Sequence, residues 1–393
     1  MIASSPDRRA VVYRVLTLLA AALIVASFFS PAWWVSLTAP NYPVATFPDG
    51  IRIDFHMDSV RNGCAVRASQ EVEEREALDC VHEMDTINHY VGMYPIASGG
   101  PVEKAYAPFL FALMVVMLLA FAAPGRKSRM AASITGYGVV ALWMGLTMFT
   151  PGGIRYQSQG YLEGLVNSLG QDTADKIDDS NLNPIVKQLK DAMADVEQRQ
   201  KAAVISSGSR SDLIDNLRAN FNLDQNKKPA SQQLEWTGSG HQVLAWHYDK
   251  SLSRWFNIPE RNDPLAQMME SISTILAITI LAAIALLVFA AWSVRSIFYW
   301  LLVILPMALP AGFIAEYSAW LWWYGHRLNE MGAFTLKPFM PTVFGDGKVA
   351  QFTTHSYPSY GFGVMVVSSL LLLLAALIRR KQISLAGDLA ENW

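Results

Sequence analysis

The chain has 393 residues, of which 52% are hydrophobic and only 16% are charged, and its mean hydropathy is positive. Soluble domains carry about 25% charged residues, so this composition is typical of a multi-pass membrane protein. The formal net charge of −2 argues against a nucleic-acid-binding protein, and we expect no nucleic acid among the partners.

Six apolar segments are long enough to cross a bilayer, whose hydrocarbon core needs about 20 residues in a helix. They are 15–35, 107–123, 131–149, 271–292, 297–315 and 360–378. Residues 25–27 of the first segment resemble a signal-peptide cleavage site, but the apolar run continues to Trp33 and Trp34, which favours a retained helix. Pro306 and Pro310 predict a kink in the fifth segment. The sequence therefore predicts a mainly α-helical fold with about six transmembrane helices.

These segments divide the chain into seven parts. They are a cytoplasmic N-terminus with the first transmembrane helix (1–35), external loop one (36–106), the second and third transmembrane helices (107–150), a mainly helical external insertion (151–270), the fourth and fifth transmembrane helices (271–315), external loop three (316–359), and the sixth transmembrane helix with a cytoplasmic tail (360–393).

The Lys and Arg residues beside the spans predict the orientation. They are Arg8 and Arg9, then Arg126, Lys127 and Arg129, then Arg295, and finally Arg379, Arg380 and Lys381. If the spans alternate in direction, all four groups lie on one side, and basic residues concentrate on the cytoplasmic side. We expect a protein of the bacterial inner membrane with both termini in the cytoplasm and the long loops outside.

Cys64 and Cys80 are the two cysteines of the chain, and both lie in external loop one. In an oxidising compartment such a pair predicts a disulfide, whereas two free thiols are the less favoured alternative. Closing a loop of this length stabilises a fold by about 3 kcal/mol in the chain-entropy model. We expect a small cap that the disulfide braces.

The segment DCVHEMDTINHYVGMYP at 79–95 gathers possible metal ligands. On a helix, His82, Asp85 and His89 share one face. Imidazole and thioether groups together favour copper over hard, oxygen-seeking cations. The candidate copper ligands are His89, Met93, His82, His326, His56 and His355. The alternative from the residues alone is a helix end whose polar side chains are solvated.

Several functional classes lack their motifs. The chain has no GxxxxGK[ST], HExxH, GxSxG or CxxCH, so we expect neither nucleotide binding by a P-loop nor the matching hydrolase and haem chemistry. All seven histidines lie outside the six apolar segments, which excludes a bis-His haem b within them. The segment centres lack charged residues, which disfavours an ion-coupled transporter and leaves a permease with a separate energy source open. We expect a protein that is not an enzyme.

Three stretches resemble motifs of a poorly characterised family of polytopic membrane proteins. APNYP at 39–43 and NHYVGM at 88–93 resemble the family's APxYP and NHYIGM motifs. YGHRLNEMGAF…KPFMPTVFGDGKVAQFTTHSYP at 324–358 is similar to its YGHNLDP…PPLIGxKxxxNF…SYP block, although YGHR departs from YGHN. The resemblance covers loops one and three and the topology, but not the insertion. Both blocks are expected on one membrane face, so NHYVGM and YGHR can meet there.

Such proteins are encoded in gene clusters for the maturation of nitrous oxide reductase and related copper proteins. The resemblance therefore implies an accessory protein that handles copper on the extracytoplasmic face, for delivery to or maturation of a periplasmic or membrane cuproenzyme. The alternative is a non-catalytic scaffold or accessory subunit of a membrane complex, of the copper monooxygenase or respiratory type, that binds its partners through the external loops.

Overall fold

The computed structural model describes residues 8–64, 79–169, 208–333, 336–349 and 351–391. It is mainly helical, with one small sheet, which confirms the mainly α-helical part of the predicted fold class. The helices are α1 (Arg8–Phe28), α2 (Cys80–Tyr90), α3 (Pro101–Ala122), α4 (Arg126–Phe149), α5 (Gln159–Leu169), α6 (Arg210–Asn226), α7 (Gly240–Ser253), α8 (Pro259–Ala290), α9 (Leu301–Met307), α10 (Leu309–His326) and α11 (Tyr360–Glu391). The strands are β1 (Trp33–Thr38), β2 (Ile51–Phe55), β3 (Val60–Asn62), β4 (Gly345–Val349) and β5 (Phe352–Pro358).

Five helices are long and apolar enough to cross a membrane, namely α1, α3, α4, α8 and the part of α11 up to Leu385. A further candidate span consists of a short 3-10 turn with α9, followed by α10, and it is bent by 60° between Met307 and Leu309. Pro306 and Pro310 flank the break, and proline disrupts a helix because it lacks an N–H and clashes with the preceding turn. The bend confirms the predicted kink, and the set of helices is consistent with a multi-pass membrane protein.

Two of these helices extend beyond the segments that hydropathy marks. α3 begins at Pro101, directly after Gly100 in the left-handed conformation, so Glu103 and Lys104 belong to its first turns rather than to loop one. α10 continues past residue 315 to His326, so Glu316 also lies on a helix. Proline is favoured at the first helical position because its missing N–H would have no partner there anyway.

The sheet joins loops one and three. Its strand order is β3-β2-β1-β5-β4 and all of its pairs are antiparallel. β1 follows α1 directly, β5 precedes α11 directly, and the two strands pair so that Trp33 lies opposite Pro358. The Trp33 indole donates a hydrogen bond to Ser356 Oγ at 2.9 Å and its ring packs against Tyr317 of α10. The five strands and α2 form the unit that we call the cap.

The disulfide between Cys64 and Cys80 is present, as predicted. It ties the chain after β3 to the start of α2, and Cys80 is fully buried beside Met84 and Ile87. The described part of the insertion is helical, with α5, α6 and α7 packed beside α3 and α4. The helix that the sequence suggests at 183–203 lies outside the described residues.

The basic groups lie at the other end of the bundle from the cap. α1 begins at Arg8 and ends at the cap, α3 runs from the cap toward the turn before Arg126, and α11 runs from the cap toward Arg379. Arg295 lies in the turn between α8 and α9. We call this the basic end.

Replacing Cys64 and Cys80 by alanine should lower the free energy of unfolding by about 3 kcal/mol, because the unfolded chain gains the freedom of the opened loop. Denaturation of the purified protein in mild detergent, with and without reductant, measures this. Reductant should lower the stability of the wild type to that of the double variant and leave the variant unchanged. Equal stability of all four samples would contradict a structural role for the bond.

Candidate functional site

His89 and Met93 are packed side chains. The His89 ring lies against Trp255 and Phe256, with centroid separations of 5.1 and 4.9 Å. Burial lowers the pKa of His89, and its Nδ1 atom is buried without a hydrogen-bond partner. Met93 is 5% exposed and belongs to the main hydrophobic core.

His82 and His326 make separate local contacts. An Arg254 Nη atom lies 3.3 Å from His82 Nδ1, and the ring lies near Trp255. His326, at the end of α10, stacks on Trp322 at 4.4 Å and places its Nδ1 atom 2.8 Å from the carbonyl oxygen of the same tryptophan.

His355 and His56 belong to the sheet and to the turn after β2. His355 Nδ1 lies 2.7 Å from Asp346 Oδ1 on the neighbouring strand. His56 has a buried Nδ1 atom without a hydrogen-bond partner, and burial, followed by the nearby Arg61, lowers its pKa to about 4. Across the described ranges, no group of three or more His, Cys, Asp or Glu side chains is placed to hold a metal ion. The six candidate ligands thus do not form a cluster of that kind.

The two blocks of the family resemblance do meet. The backbone N–H of Asn329 donates to the carbonyl oxygen of Gly92 at 2.7 Å, which joins NHYVGM to the YGHRLN segment. Gly92 has φ 81°, and a Cβ there would lie 2.5 Å from the Asn329 carbonyl oxygen. A side chain at residue 92 would therefore separate the loops. This close approach explains why residue 92 in NHYVGM is a glycine.

A cavity of about 520 Å³ lies beneath the cap, between α3, α8, α9 and α10. His56 and Met57, in the turn between β2 and β3, contribute to its roof. α3 lines it from Gly100 to Met117, a stretch about 25 Å long at 1.5 Å per residue. Because the walls are mainly apolar, the cavity is a long hydrophobic pocket that follows α3.

Ionisable groups collect at the cap end of this cavity. Glu103 and Lys104 come from α3, and Glu316 comes from α10. An ideal Cβ on Gly100 would lie 3.5 Å from Glu316 Oε1 and 3.8 Å from Glu103 Oε2, so the two carboxylates approach the same point. The indole of Trp320 donates to Glu103 Oε1 at 3.3 Å, whereas Glu103 Oε2 is buried without a hydrogen-bond partner.

Lys104 separates the apolar cavity from a smaller polar one. Its ammonium group donates to the carbonyl oxygen of Ala97 at 2.5 Å. The second cavity, of about 40 Å³, is lined by Lys104 together with Asp58, Ser168 and His247, and this volume is sufficient for ordered water. The polar end of the large cavity therefore faces the cap, and its apolar end faces the interior of the bundle.

Chemically, the site offers an unsatisfied carboxylate oxygen, an unsatisfied imidazole nitrogen and a long apolar wall. Buried polar atoms without partners are rare in folded proteins, and they often mark the place of a ligand or water. A molecule with a hydrogen-bond-donating head and an apolar chain would complement all three features.

The hydropathy pattern did not predict that the acidic and basic residues of this cavity lie on helices, because a predicted span is bounded by the first charged residues. The sequence did carry a signal for Glu103 and Lys104, since Gly100 followed by Pro101 is a typical helix start. Nothing in the sequence near Glu316 indicates that a bent helix brings it to Gly100.

A buried ion pair connects the cap to the helical insertion. Asp85 of α2 and Arg254, at the end of α7, lie 3.6 Å apart and their side chains are almost fully buried. Asp85 Oδ1 also accepts a hydrogen bond from the backbone N–H of Ile96 at 3.2 Å. Burial raises the pKa of Asp85 to about 7, although Arg254 opposes the change.

The chain matches no protein-family model, no curated protein and no solved structure at a significant level of similarity.

Asp85 should make the fold less stable as pH rises. Its folded-state pKa of about 7 exceeds its ordinary value of 3.8, so the folded protein holds a proton that the unfolded chain releases. Between about pH 4 and pH 7 this lowers the free energy of unfolding by up to about 4 kcal/mol. Melting temperatures measured across this window should depend on pH more weakly in Asp85→Asn than in the wild type.

Asp215→Asn is the matched control, because Asp215 is exposed on α6 and should leave the pH profile unchanged. Identical profiles for the wild type and Asp85→Asn would show that Asp85 is ionised in the folded protein throughout the window.

Proposed function

We propose that this protein takes an amphiphilic molecule from the bilayer into the cavity beneath its cap. The head of the molecule carries a hydroxyl or ammonium donor that binds at Glu103, and its apolar chain lies along α3. The observation that carries this proposal is the buried, unpartnered Glu103 Oε2 atom at the polar end of a long apolar cavity.

The shape of the cavity favours a chain-like ligand over a compact solute. It extends from Gly100 to Met117 along α3, and Leu287 near the end of α8 lines it as well. An acyl or isoprenoid chain would bury its surface there, and each buried methylene contributes about 0.8 kcal/mol.

The charge of the polar end favours a donor head. Two carboxyl groups and one ammonium group line it, so hydrogen-bond acceptors of acidic side chains outnumber the cationic donor. Lys104 already donates to a backbone carbonyl oxygen, whereas Glu103 offers a free acceptor. A hydrogen bond from a cationic donor to a carboxylate is about twice as strong as one between neutral groups.

The proposed location is the inner membrane, with the cap on the extracytoplasmic side. Two independent features support it. The disulfide lies at the cap, and disulfides persist in oxidising compartments. The basic groups lie at the other end, as expected for a cytoplasmic face. The cap is also the surface that a partner subunit or a cuproenzyme would meet in the role that the family resemblance implies.

Gly312→Leu should reduce ligand occupancy, because Gly312 lines the cavity and a side chain there meets open space. The wild type, purified in mild detergent, should retain about one amphiphile per chain, as one pocket of this kind holds one ligand. Solvent extraction and mass spectrometry measure the retained lipid.

Glu103→Gln should weaken retention of ammonium-headed ligands about tenfold through loss of a charge-assisted hydrogen bond.

Gly145→Leu and Glu260→Gln are the matched controls. Gly145 also lies within a helix with open space around it but away from the cavity, and Glu260 is exposed at the start of α8. Both should retain the wild-type amount. Equal retention by all four variants would reject the cavity as the binding site.

Copper handling stays a prediction of the sequence, and copper loading followed by desalting tests it. About one copper per chain in the wild type, lost in His89→Gln combined with Met93→Leu, would support a mononuclear site. Leucine keeps the volume of the buried Met93 while removing its sulfur, so the fold is preserved. Absence of copper from the wild type, or equal copper in both proteins, would reject these two ligands.

A further inference from the structure

The basic end holds a buried arginine that has no acidic partner among the described residues. Arg129, near the start of α4, is 4% exposed. Its Nε–H donates to the carbonyl oxygen of Ala291 at 2.5 Å, and this is the hydrogen bond that its side chain makes within the described ranges. A guanidinium group has five donors, so most of those of Arg129 have no acceptor in the part of the chain that the structure describes. Buried charges are normally paired, because removing them from water costs several kcal/mol.

A second arginine lies beside the first. Arg379 of α11 is half-buried, and its guanidinium carbon lies 4.8 Å from the ring centroid of Tyr13. One Nη atom donates to Gln382 at 2.6 Å, but Nε is buried without a hydrogen-bond partner. Arg379 is close enough to Arg129 to repel it electrostatically. An anion bound near both guanidinium groups would offset this repulsion.

The surroundings of the pair are aromatic rather than acidic. The rings of Tyr13 and Phe121 lie 5.9 Å apart, and Phe121 stacks on Tyr299 at 5.3 Å. Arg126 lies 3.6 Å over the ring of Trp292, which is 54% exposed. Tryptophan concentrates at the level of lipid headgroups, so the cluster lies where the phosphates of the basic-end leaflet would be.

The site is built between helices. α1, α3, α4 and α11 and the turn between α8 and α9 all contribute to it. A guanidinium fork matches the geometry of phosphate oxygens, and basic pockets between transmembrane helices on the cytoplasmic side bind anionic headgroups.

We propose that Arg129 and Arg379 bind the phosphate of an anionic phospholipid from the leaflet at the basic end. The lipid provides the negative charge that the protein lacks there, and its acyl chains lie against the exposed apolar surface of α1 and α11. This site lies at the opposite end of the bundle from the amphiphile cavity and does not depend on it.

The test titrates the full-length protein in a neutral detergent with phosphatidylglycerol. Native mass spectrometry counts the bound lipid, and the melting temperature reports stabilisation. Arg379→Gln should weaken phosphatidylglycerol binding about tenfold or more, the effect of losing one hydrogen bond between charged groups. Arg129→Lys, which keeps the charge but loses the fork, should weaken binding to a smaller extent.

Arg380→Gln is the matched control, because Arg380 is the exposed neighbour of Arg379 and should bind as the wild type does. The same titration is repeated with phosphatidylcholine and with inorganic phosphate as control ligands. Neither should raise the melting temperature as phosphatidylglycerol does. Equal binding by Arg379→Gln and Arg380→Gln would overturn the proposal. So would equal stabilisation by phosphatidylcholine, or by inorganic phosphate alone. Retention of the cavity amphiphile should be the same in Arg379→Gln and wild type, which separates this result from that of the proposed function.

Discussion

The pairing of β1 with β5 is the constraint on which the rest of the architecture depends. These strands continue directly from the first and last long helices, so their backbone hydrogen bonds hold α1 and α11 side by side. Ser356 of β5 accepts a hydrogen bond from the indole of Trp33, and its hydroxyl lies 3.3 Å from that of Tyr317 on α10. The sheet therefore also fixes the far end of the bent helix. Because irregular backbone is not tolerated against lipid, such a sheet belongs at the end of the bundle, as a cap.

The bend and the sheet together produce the cavity. Two prolines break the helix pair by 60°, and the contacts of α10 with the cap hold its second half in the tilted position. The same tilt brings Glu316 toward Gly100, where it approaches Glu103. The polar cluster thus results from backbone geometry at a distance, and Lys104 reduces the cost of placing two carboxylates together.

The sequence was sufficient to predict features that depend on local pattern. Apolar segments of the right length predicted the long helices, Pro306 and Pro310 predicted the bend, and two cysteines in one loop predicted the disulfide. The contact between Gly92 and Asn329 fulfils the expectation that the two motif blocks can meet.

The cavity could not be predicted in the same way, because it arises from the angle between helices and not from the composition of any one segment. Hydropathy also began α3 too late and ended α10 too early, and so left Glu103, Lys104 and Glu316 in loops. The sequence predicts copper ligands around His89, and this stays a prediction. In the fold, the His89 ring packs on Trp255 and Phe256, which are distant in sequence and carry no metal-binding signal.

The two ends of the bundle handle buried charge in opposite ways, and this difference connects the two proposed sites. At the cap end, carboxylates outnumber the one lysine, and an acceptor atom is left without a donor. At the basic end, arginines lie among aromatic rings without a carboxylate in the described residues around them. Burying an uncompensated charge costs more free energy than a cation–π contact with an aromatic ring contributes. In the two proposals the bilayer compensates at both ends, with a donor head in the cavity and phosphate at the arginines, so lipids would balance the charges that the fold leaves unpaired.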